Sequence, residues 1–136
     1  MRCLGIKLEY SVKPLNDGDC GGILVVINDY ISFFGEVDPY KGVHTPSGKH
    51  IADKVLVFRG GRGSTVGSYI IYALRKNNVS PRCFIVEKPD PVVVAGSILA
   101  DIPLLVIREY NDFIVNVCDG YKLEYDRGKR IVRVYK

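Results

Sequence analysis

One short segment, residues 55–68, holds most of the side chains that could do chemistry. Its sequence, VLVFRGGRGSTVGS, is an apolar run followed by four glycines within eight positions. Arg62 places a cation between two of those glycines, and Ser64 places a hydroxyl directly after them. A strand that passes through such a turn into a helix leaves backbone N–H groups free at the helix start, where they favour negative charge. The segment therefore predicts an anion-binding turn.

The elements that must position this turn form an alternating series. The patterns predict strands at 55–58, 83–86 and 104–107, with helices at about 64–76 and 91–99. Asn77, Asn78 and Pro81 end the first helix, and Asp90 followed by Pro91 begins the second. Such a series implies a three-stranded parallel sheet with right-handed crossovers.

Both ends of the chain are predicted to be rich in β-structure. Strands are expected at 2–10, 23–27, 31–34, 113–117, 121–125 and 131–135, with turns at 28–29, 119–120 and 127–128. Residues 35–49 form the longest unpatterned stretch and are predicted to be a functional or mobile loop, in which Glu36 and Asp38 fit a surface role and a functional role equally. The fold class is thus one α/β domain over residues 1–136, in which a central parallel β-α-β-α-β unit is flanked by strands and hairpins forming a β-rich, barrel-like portion.

Composition and charge favour a soluble, cytoplasmic protein with no membrane and no nucleic-acid partner. The 136 residues are 47% hydrophobic, the net charge is +4, and no run of about 18 apolar residues is present. The N-terminal sequence does not have the pattern of a signal peptide. The densest basic cluster is predicted to be a solvated hairpin face: Arg127, Lys129, Arg130, Arg133 and Lys136.

The cysteine and histidine spacing predicts no metal site in this chain. The four cysteines, at positions 3, 20, 83 and 118, are nowhere closer than 17 residues, so they lack zinc or iron–sulfur ligand spacing. Cys83 and Cys118 are expected to be small core residues, and all four cysteines are expected to be reduced. His44 and His50 are expected to be solvated loop residues.

Other interpretations of the glycine turn remain. A P-loop is excluded because no lysine follows the last glycine. A swivelling phosphohistidine domain would need a histidine near the turn, whereas His44 and His50 lie on the far side of strand 55–58. The spacing from Gly61 to Gly67 is one residue too long for a dinucleotide fingerprint, although Glu87 stands about where a ribose-binding acid would. Ser64 could also be an ordinary helix N-cap.

Three motifs together resemble one known family. GGRGSTVGS, GEVDP at 35–39 and AGSILADIPLL at 95–105 resemble the small subunit of the aconitase-X family, over nearly the whole chain. The resemblance implies a swivelling β/β/α domain that closes over a large aconitase-like subunit carrying a four-iron, four-sulfur cluster. The cofactor is thus expected in the partner and not in this chain. Archaeal members dehydrate 5-phosphomevalonate to trans-anhydromevalonate 5-phosphate, a step towards isoprenoids.

The resemblance also assigns roles within the turn. Ser64 is the expected base, acting as an alkoxide on the carbon beside the substrate carboxylate. Arg62 either stabilises that alkoxide or grips a substrate anion. The remaining expected substrate-binding residues are Gly61, Gly63, Thr65 and Ser68, although Ser68 fits an inward packing role equally. The alternatives are a hydroxyproline dehydratase subunit of the same family and a non-catalytic anion- or nucleotide-binding module.

Overall fold

Seven strands close into a barrel in the computed structural model, which describes residues 3–136. The strands of the chain are β1 (Glu9–Asn16), β2 (Gly21–Ile31), β3 (Val37–Asp38), β4 (Val43–His44), β5 (Lys49–His50), β6 (Val55–Gly61), β7 (Cys83–Val86), β8 (Leu104–Ile107), β9 (Lys122–Asp126) and β10 (Ile131–Tyr135). The helices are α1 (Phe33–Glu36), α2 (Gly67–Lys76), α3 (Pro91–Ala100) and α4 (Tyr110–Asn116). Around the barrel the order is β1-β10-β9-β2-β6-β7-β8, and β8 pairs back onto β1.

One side of the barrel is parallel and the other antiparallel. The predicted parallel set β6-β7-β8 is confirmed, and β2 adds a fourth parallel strand beside β6. Strands β9 and β10 form the predicted hairpin, while β1 closes the barrel antiparallel to both β10 and β8. The predicted α/β class with a β-rich barrel portion is therefore confirmed.

Two hydrophobic cores lie on opposite faces of the parallel strands. Side chains alternate across a strand, so Val55 and Val57 of β6 fill the barrel interior with residues of α4, whereas Leu56 and Phe58 pack beneath α2 and α3. All four side chains are fully buried. This explains the uninterrupted apolar run before the glycine turn, because a strand covered on both faces has no polar side.

The first strand begins later in the chain than the predicted residues 2–10. Arg2 lies outside the described residues, and Leu4 and Ile6, which are 51% and 82% exposed, belong to no strand. Strand β1 begins at Glu9 and runs through Pro14 to Asn16. Pro14 lies beside an irregularity in the β1–β8 pairing, where a residue without an N–H group is tolerated.

The segment after β2 also differs from the prediction. Strand β2 continues through residues 28–29 with a register shift in place of a turn, and residues 33–36 form the short helix α1 instead of a strand. Residues 37–50 are not an unstructured loop, because β3, β4 and β5 form a small antiparallel sheet. His44 is buried within this sheet, contrary to its predicted solvation.

The segment predicted as strand 113–117 is helix α4. Tyr110, Phe113, Ile114 and Val117 are all buried, and their spacing of three and four residues places them on one face of a helix. The turn at 119–120 consequently joins α4 to β9 instead of closing a hairpin. None of the helices within residues 3–136 combines the length and the apolar character needed to cross a membrane.

The cysteines form two disulfides, so the prediction of four reduced thiols is wrong. Cys20 bonds to Cys83, with Cα atoms 5.5 Å apart, and joins the loop before β2 to β7. Cys3 bonds to Cys118, with Cα atoms 5.6 Å apart, and ties the N-terminal segment to the loop after α4. Cys83 is buried as predicted, but as half of a bridge.

Candidate functional site

The glycine turn links the parallel face of the barrel to helix α2. Strand β6 continues through Gly61, and α2 begins at Gly67, three residues later than predicted. A tight turn precedes the helix, because the Gly67 N–H donates to the Ser64 carbonyl at 3.0 Å and the Ser68 N–H to the Thr65 carbonyl at 3.2 Å. Residues 62–66 are all exposed, so the turn stands out from the surface.

Ser64 lies at the exposed apex of this turn and is not the helix N-cap. Its hydroxyl oxygen accepts a hydrogen bond from the Val66 N–H at 3.2 Å, and Val66 itself occupies the cap position, with no side-chain capping bond. Ser64 therefore caps the tight turn that leads into α2, two residues before the cap position of the helix itself. The hydroxyl remains open to a ligand that approaches the turn.

The backbone N–H groups of Ser64 and of the residues on either side of it, Gly63 and Thr65, have no hydrogen-bond acceptor among residues 3–136. They precede the first turn of α2, where the helix dipole adds a partial positive charge. These donors make the N-terminus of α2 suitable for binding an anion.

Two glycines allow the backbone to take this path. Gly63 has φ +92°, a conformation that L side chains rarely adopt. Gly61 passes so close to the start of α3 that an added Cβ would lie 2.6 Å from Asp90 Oδ1. The Gly61 N–H donates to that same oxygen at 2.9 Å, while Asp90 Oδ2 caps α3 by accepting from the Val92 N–H. One carboxylate thus fixes both the end of β6 and the start of α3.

Hydrogen bonds hold both the backbone and the side chain of Arg62. Its backbone N–H donates to the Ile31 carbonyl at 3.0 Å, and its guanidinium Nη2 donates to Glu36 Oε2 at 2.5 Å. The side chain remains 53% exposed. This contact brings together the glycine turn and the GEVDP segment. The sequence could not pair Glu36 with Arg62, because they are 26 positions apart and no local pattern links them.

The other two hydroxyl residues differ from each other. Thr65 is exposed within the turn beside Ser64. Ser68 is only 8% exposed, and its hydroxyl donates to the Thr65 carbonyl at 2.8 Å. This geometry favours the packing role for Ser68, since its hydroxyl stabilises the turn from the inside.

Several residues considered for a nucleotide or nucleic-acid site form ion pairs within the chain. Glu87, the candidate ribose-binding acid, forms an ion pair with Arg59 at 2.8 Å. Two arginines of the C-terminal basic cluster are also paired: Arg127 lies near Asp17 and Asp19, and Arg133 near Glu9 and Asp126. Within the described part of the chain, no three histidine, cysteine or acidic side chains lie close enough together to hold a metal ion.

The fold and the exposed turn define a class of protein. A barrel that carries helices on its parallel face and presents one glycine turn to solvent is the architecture of a swivelling β/β/α domain. Residues 9–134 match the family model described as the aconitase X swivel domain. The chain therefore belongs to the aconitase X swivel-domain family.

Two similar proteins carry the same name. The phosphomevalonate dehydratase small subunit of Aeropyrum pernix is 46% identical over 120 residues, which cover 85% of this chain and 86% of that protein. The small subunit of the same name from Methanothrix thermoacetophila is 39% identical over 130 residues, covering 92% and 93%.

Two solved structures share the fold. Aconitase X of Thermococcus kodakaraensis, described as a holo-form, is 34% identical with a TM-score of 0.83, over 94% of this chain and 98% of that one. A UPF0107 protein solved by NMR in solution is 32% identical with a TM-score of 0.83, over 95% and 100%.

Proposed function

We propose that this chain is the small subunit of a phosphomevalonate dehydratase, a hydro-lyase that converts (R)-5-phosphomevalonate to trans-anhydromevalonate 5-phosphate in isoprenoid synthesis in the cytoplasm. The observation that carries the proposal is the agreement of similar proteins from several archaea. They match most of this chain, and each is named as the small subunit of that enzyme. The chain has the same fold as the swivelling domain of aconitase X, which agrees with that assignment.

The proposed partner is a large aconitase-like subunit that holds a four-iron, four-sulfur cluster. The cysteines at 3, 20, 83 and 118 are paired in disulfides, so they do not fit the thiolate ligands that such a cluster needs. Its ligands would therefore come from the partner. A bound cluster would supply a Lewis acid for the leaving hydroxyl.

The part that this chain takes is removal of a proton. Ser64 Oγ would accept the proton from the carbon beside the substrate carboxylate, and the electron pair left behind would form the double bond as hydroxide departs. A serine alkoxide is unstable in water, but here it would lie in a turn with free backbone N–H groups, two residues after the cation of Arg62. Those groups are preorganised for negative charge and need no rearrangement when the charge develops.

The same turn favours a substrate with two anions. 5-Phosphomevalonate carries a carboxylate and a phosphate, so one can lie at the reacting centre while the other is anchored by a cation and backbone N–H groups. Hydroxyproline carries one carboxylate and its own ammonium, and gains less from a second cationic site. This difference favours the phosphorylated substrate over the hydroxyproline alternative.

The test is an assay of the two subunits mixed under anaerobic conditions. 5-Phosphomevalonate, unphosphorylated mevalonate and hydroxyproline are supplied separately, and product formation is followed. We expect turnover of 5-phosphomevalonate only. Consumption of hydroxyproline alone would contradict the substrate while leaving the dehydratase class intact. Tight nucleotide binding by the isolated chain would instead favour the non-catalytic module.

A further inference from the structure

We propose that Glu36 is a positioning residue that aims the Arg62 guanidinium at the substrate anion. This inference rests on the proposed function, because it concerns the same turn. It assigns a role to a residue of the GEVDP segment that does not itself belong to the glycine turn. The physical basis is that Glu36 is held rigidly while Arg62, which it contacts, is exposed.

Glu36 is fixed by its backbone as well as its side chain. Its N–H donates to the Ser32 carbonyl at 2.8 Å, and its own carbonyl accepts from the Thr45 N–H at 2.8 Å and the Thr45 hydroxyl at 3.1 Å. On the side chain, Oε1 accepts from the Ser32 N–H at 2.8 Å. The other oxygen, Oε2, is thereby pointed at Arg62. The Glu36 side chain is 21% exposed, so it is mostly enclosed by these partners.

The Arg62 side chain needs such support because Glu36 is its one hydrogen-bond partner among residues 3–136. The neighbours of Arg62 in the chain are Gly61 and Gly63, which offer no side chain to pack against, and its own side chain is 53% exposed. A guanidinium has five N–H donors in a planar fork, and the contact with Glu36 uses only one edge of it. The remaining donors keep a fixed direction from which they can grip a carboxylate or phosphate in a bidentate manner.

Positioning and simple charge neutralisation predict opposite effects when Glu36 loses its charge. Glu36→Gln makes the site more positive, so simple electrostatic attraction would strengthen the binding of an anionic substrate and lower KM. If Glu36 instead positions Arg62, the same change leaves the guanidinium free to rotate. Substrate binding must then order the side chain, and the lost conformational entropy weakens binding. KM should therefore rise despite the gain in positive charge.

The test is a double-mutant cycle in the reconstituted complex with 5-phosphomevalonate. We expect Glu36→Gln to raise KM about three- to tenfold with little change in kcat. In an Arg62→Ala background, Glu36→Gln should have no further effect, because nothing is left to position. A fall or no change in KM, or an additional loss in the Arg62→Ala background, would overturn the proposal.

A matched control is Glu9→Gln, which removes a carboxylate that contacts Arg133 at 3.1 Å on the far strand β1. It breaks a surface arginine pair of the same kind, and we expect wild-type KM. Arg62→Lys should show the raised KM even with Glu36 intact, because an ammonium cannot reproduce the planar fork. A wild-type KM for Arg62→Lys would contradict the role of the fork.

A second measurement separates this inference from the proposed function. In the ¹⁵N NMR spectrum of the isolated full chain, the Nε–Hε signal of Arg62 is identified by its loss in Arg62→Lys. Glu36→Gln should move it towards the shift of free arginine, and Glu9→Gln should not. An unmoved signal in Glu36→Gln refutes the positioning role whatever the enzyme's substrate. Absence of turnover by the wild-type complex refutes the function and leaves the NMR result to decide the role of Glu36.

Discussion

At the scale of single residues, the main question is why Ser64 is placed where it is. The cap position of α2 is Val66, which has no capping side chain, and Ser64 lies two residues before it. Ser64 lies at the exposed apex, and its hydroxyl makes one hydrogen bond of 3.2 Å within the turn. Its structural contribution is therefore small, while its position in a turn with free N–H groups suits an alkoxide.

Ser64→Ala should abolish turnover while leaving the fold and subunit association intact. The expected loss of unfolding free energy is at most about 0.5 kcal/mol, because the side chain is exposed and its one bond lies within an open turn. Urea denaturation measures the stability, and product formation at equal complex content measures the activity. The control is Ser11→Ala, an exposed serine of β1, which should keep full activity. Normal turnover by Ser64→Ala would reduce the residue to a part of the turn.

At the scale of elements, the junction of β6 with α3 determines where the turn lies. Gly61 and Asp90 are joined by a hydrogen bond of 2.9 Å, and the same carboxylate starts α3. Because α2 and α3 share one hydrophobic core with the outer face of β6, we expect a displacement at this point to shift the turn that carries Arg62 and Ser64.

Gly61→Ala should destabilise the chain by about 1–3 kcal/mol and reduce turnover. The added Cβ would meet Asp90 Oδ1 at 2.6 Å and Val93 Cγ2 at 2.7 Å, so either the turn or α3 must shift. Urea denaturation checks the stability. Gly128→Ala is the control, since its Cβ would meet only Asp126 Oδ1, at an ordinary 3.5 Å. Equal stability of the two variants would contradict the close packing at Gly61.

The small sheet of β3, β4 and β5 contains a buried histidine that should make stability depend on pH. Burial lowers the pKa of His44, whose Nδ1 lies 2.7 Å from the Ser47 hydroxyl. As pH falls below about 6.5, the unfolded chain takes up a proton that folded His44 resists. Stability should therefore decrease with falling pH in that range.

His44→Gln should remove that part of the pH dependence. The wild type should lose up to about 1.4 kcal/mol per pH unit below pH 6.5 through this group, and the variant should not. Urea denaturation at a series of pH values measures the difference. Asp38 and Asp126 also have lowered pKa values, but their contributions are lost only at more acidic pH. Parallel pH profiles in the two proteins would show that His44 is not the titrating group.

At the scale of the whole molecule, the proposed function makes the chain one part of a divided enzyme. Its barrel is closed by β8 pairing with β1, and two disulfides join segments that are 63 and 115 residues apart in the sequence. The barrel therefore offers a fixed support, while the glycine turn is exposed on its surface. Such a division suits a domain that presents one catalytic residue to a metal centre held by another subunit.

The isolated chain purified under anaerobic conditions should contain no iron and show no visible absorption. The reason is that its cysteines are consumed by disulfides and none has cluster-ligand spacing. Iron analysis and the visible spectrum provide the measurement, with the complex containing the large subunit as the positive control. A stoichiometric cluster on this chain alone would overturn the proposed division between the subunits.

Local features of the sequence were sufficient to predict the central unit. The apolar run Val55–Phe58, the glycines after it and the Asp90-Pro91 helix start all act between neighbours in the chain, so their structural consequences can be predicted without the fold. Helix α4 was missed in spite of a local signal. Its residues 113–117 alternate loosely like a strand, whereas the buried positions from Tyr110 onwards have helical spacing.

The sequence by itself determined the class of fold, the glycine turn and the family motifs, because these depend on residue types at short spacing. Only the tertiary structure decided which distant residues meet. The contact of Glu36 with Arg62, the burial of His44 and the two disulfides each depend on how the barrel closes and where the segment after β2 folds back. The start of α2 at Gly67 and the tight turn before it were likewise seen only in the structure.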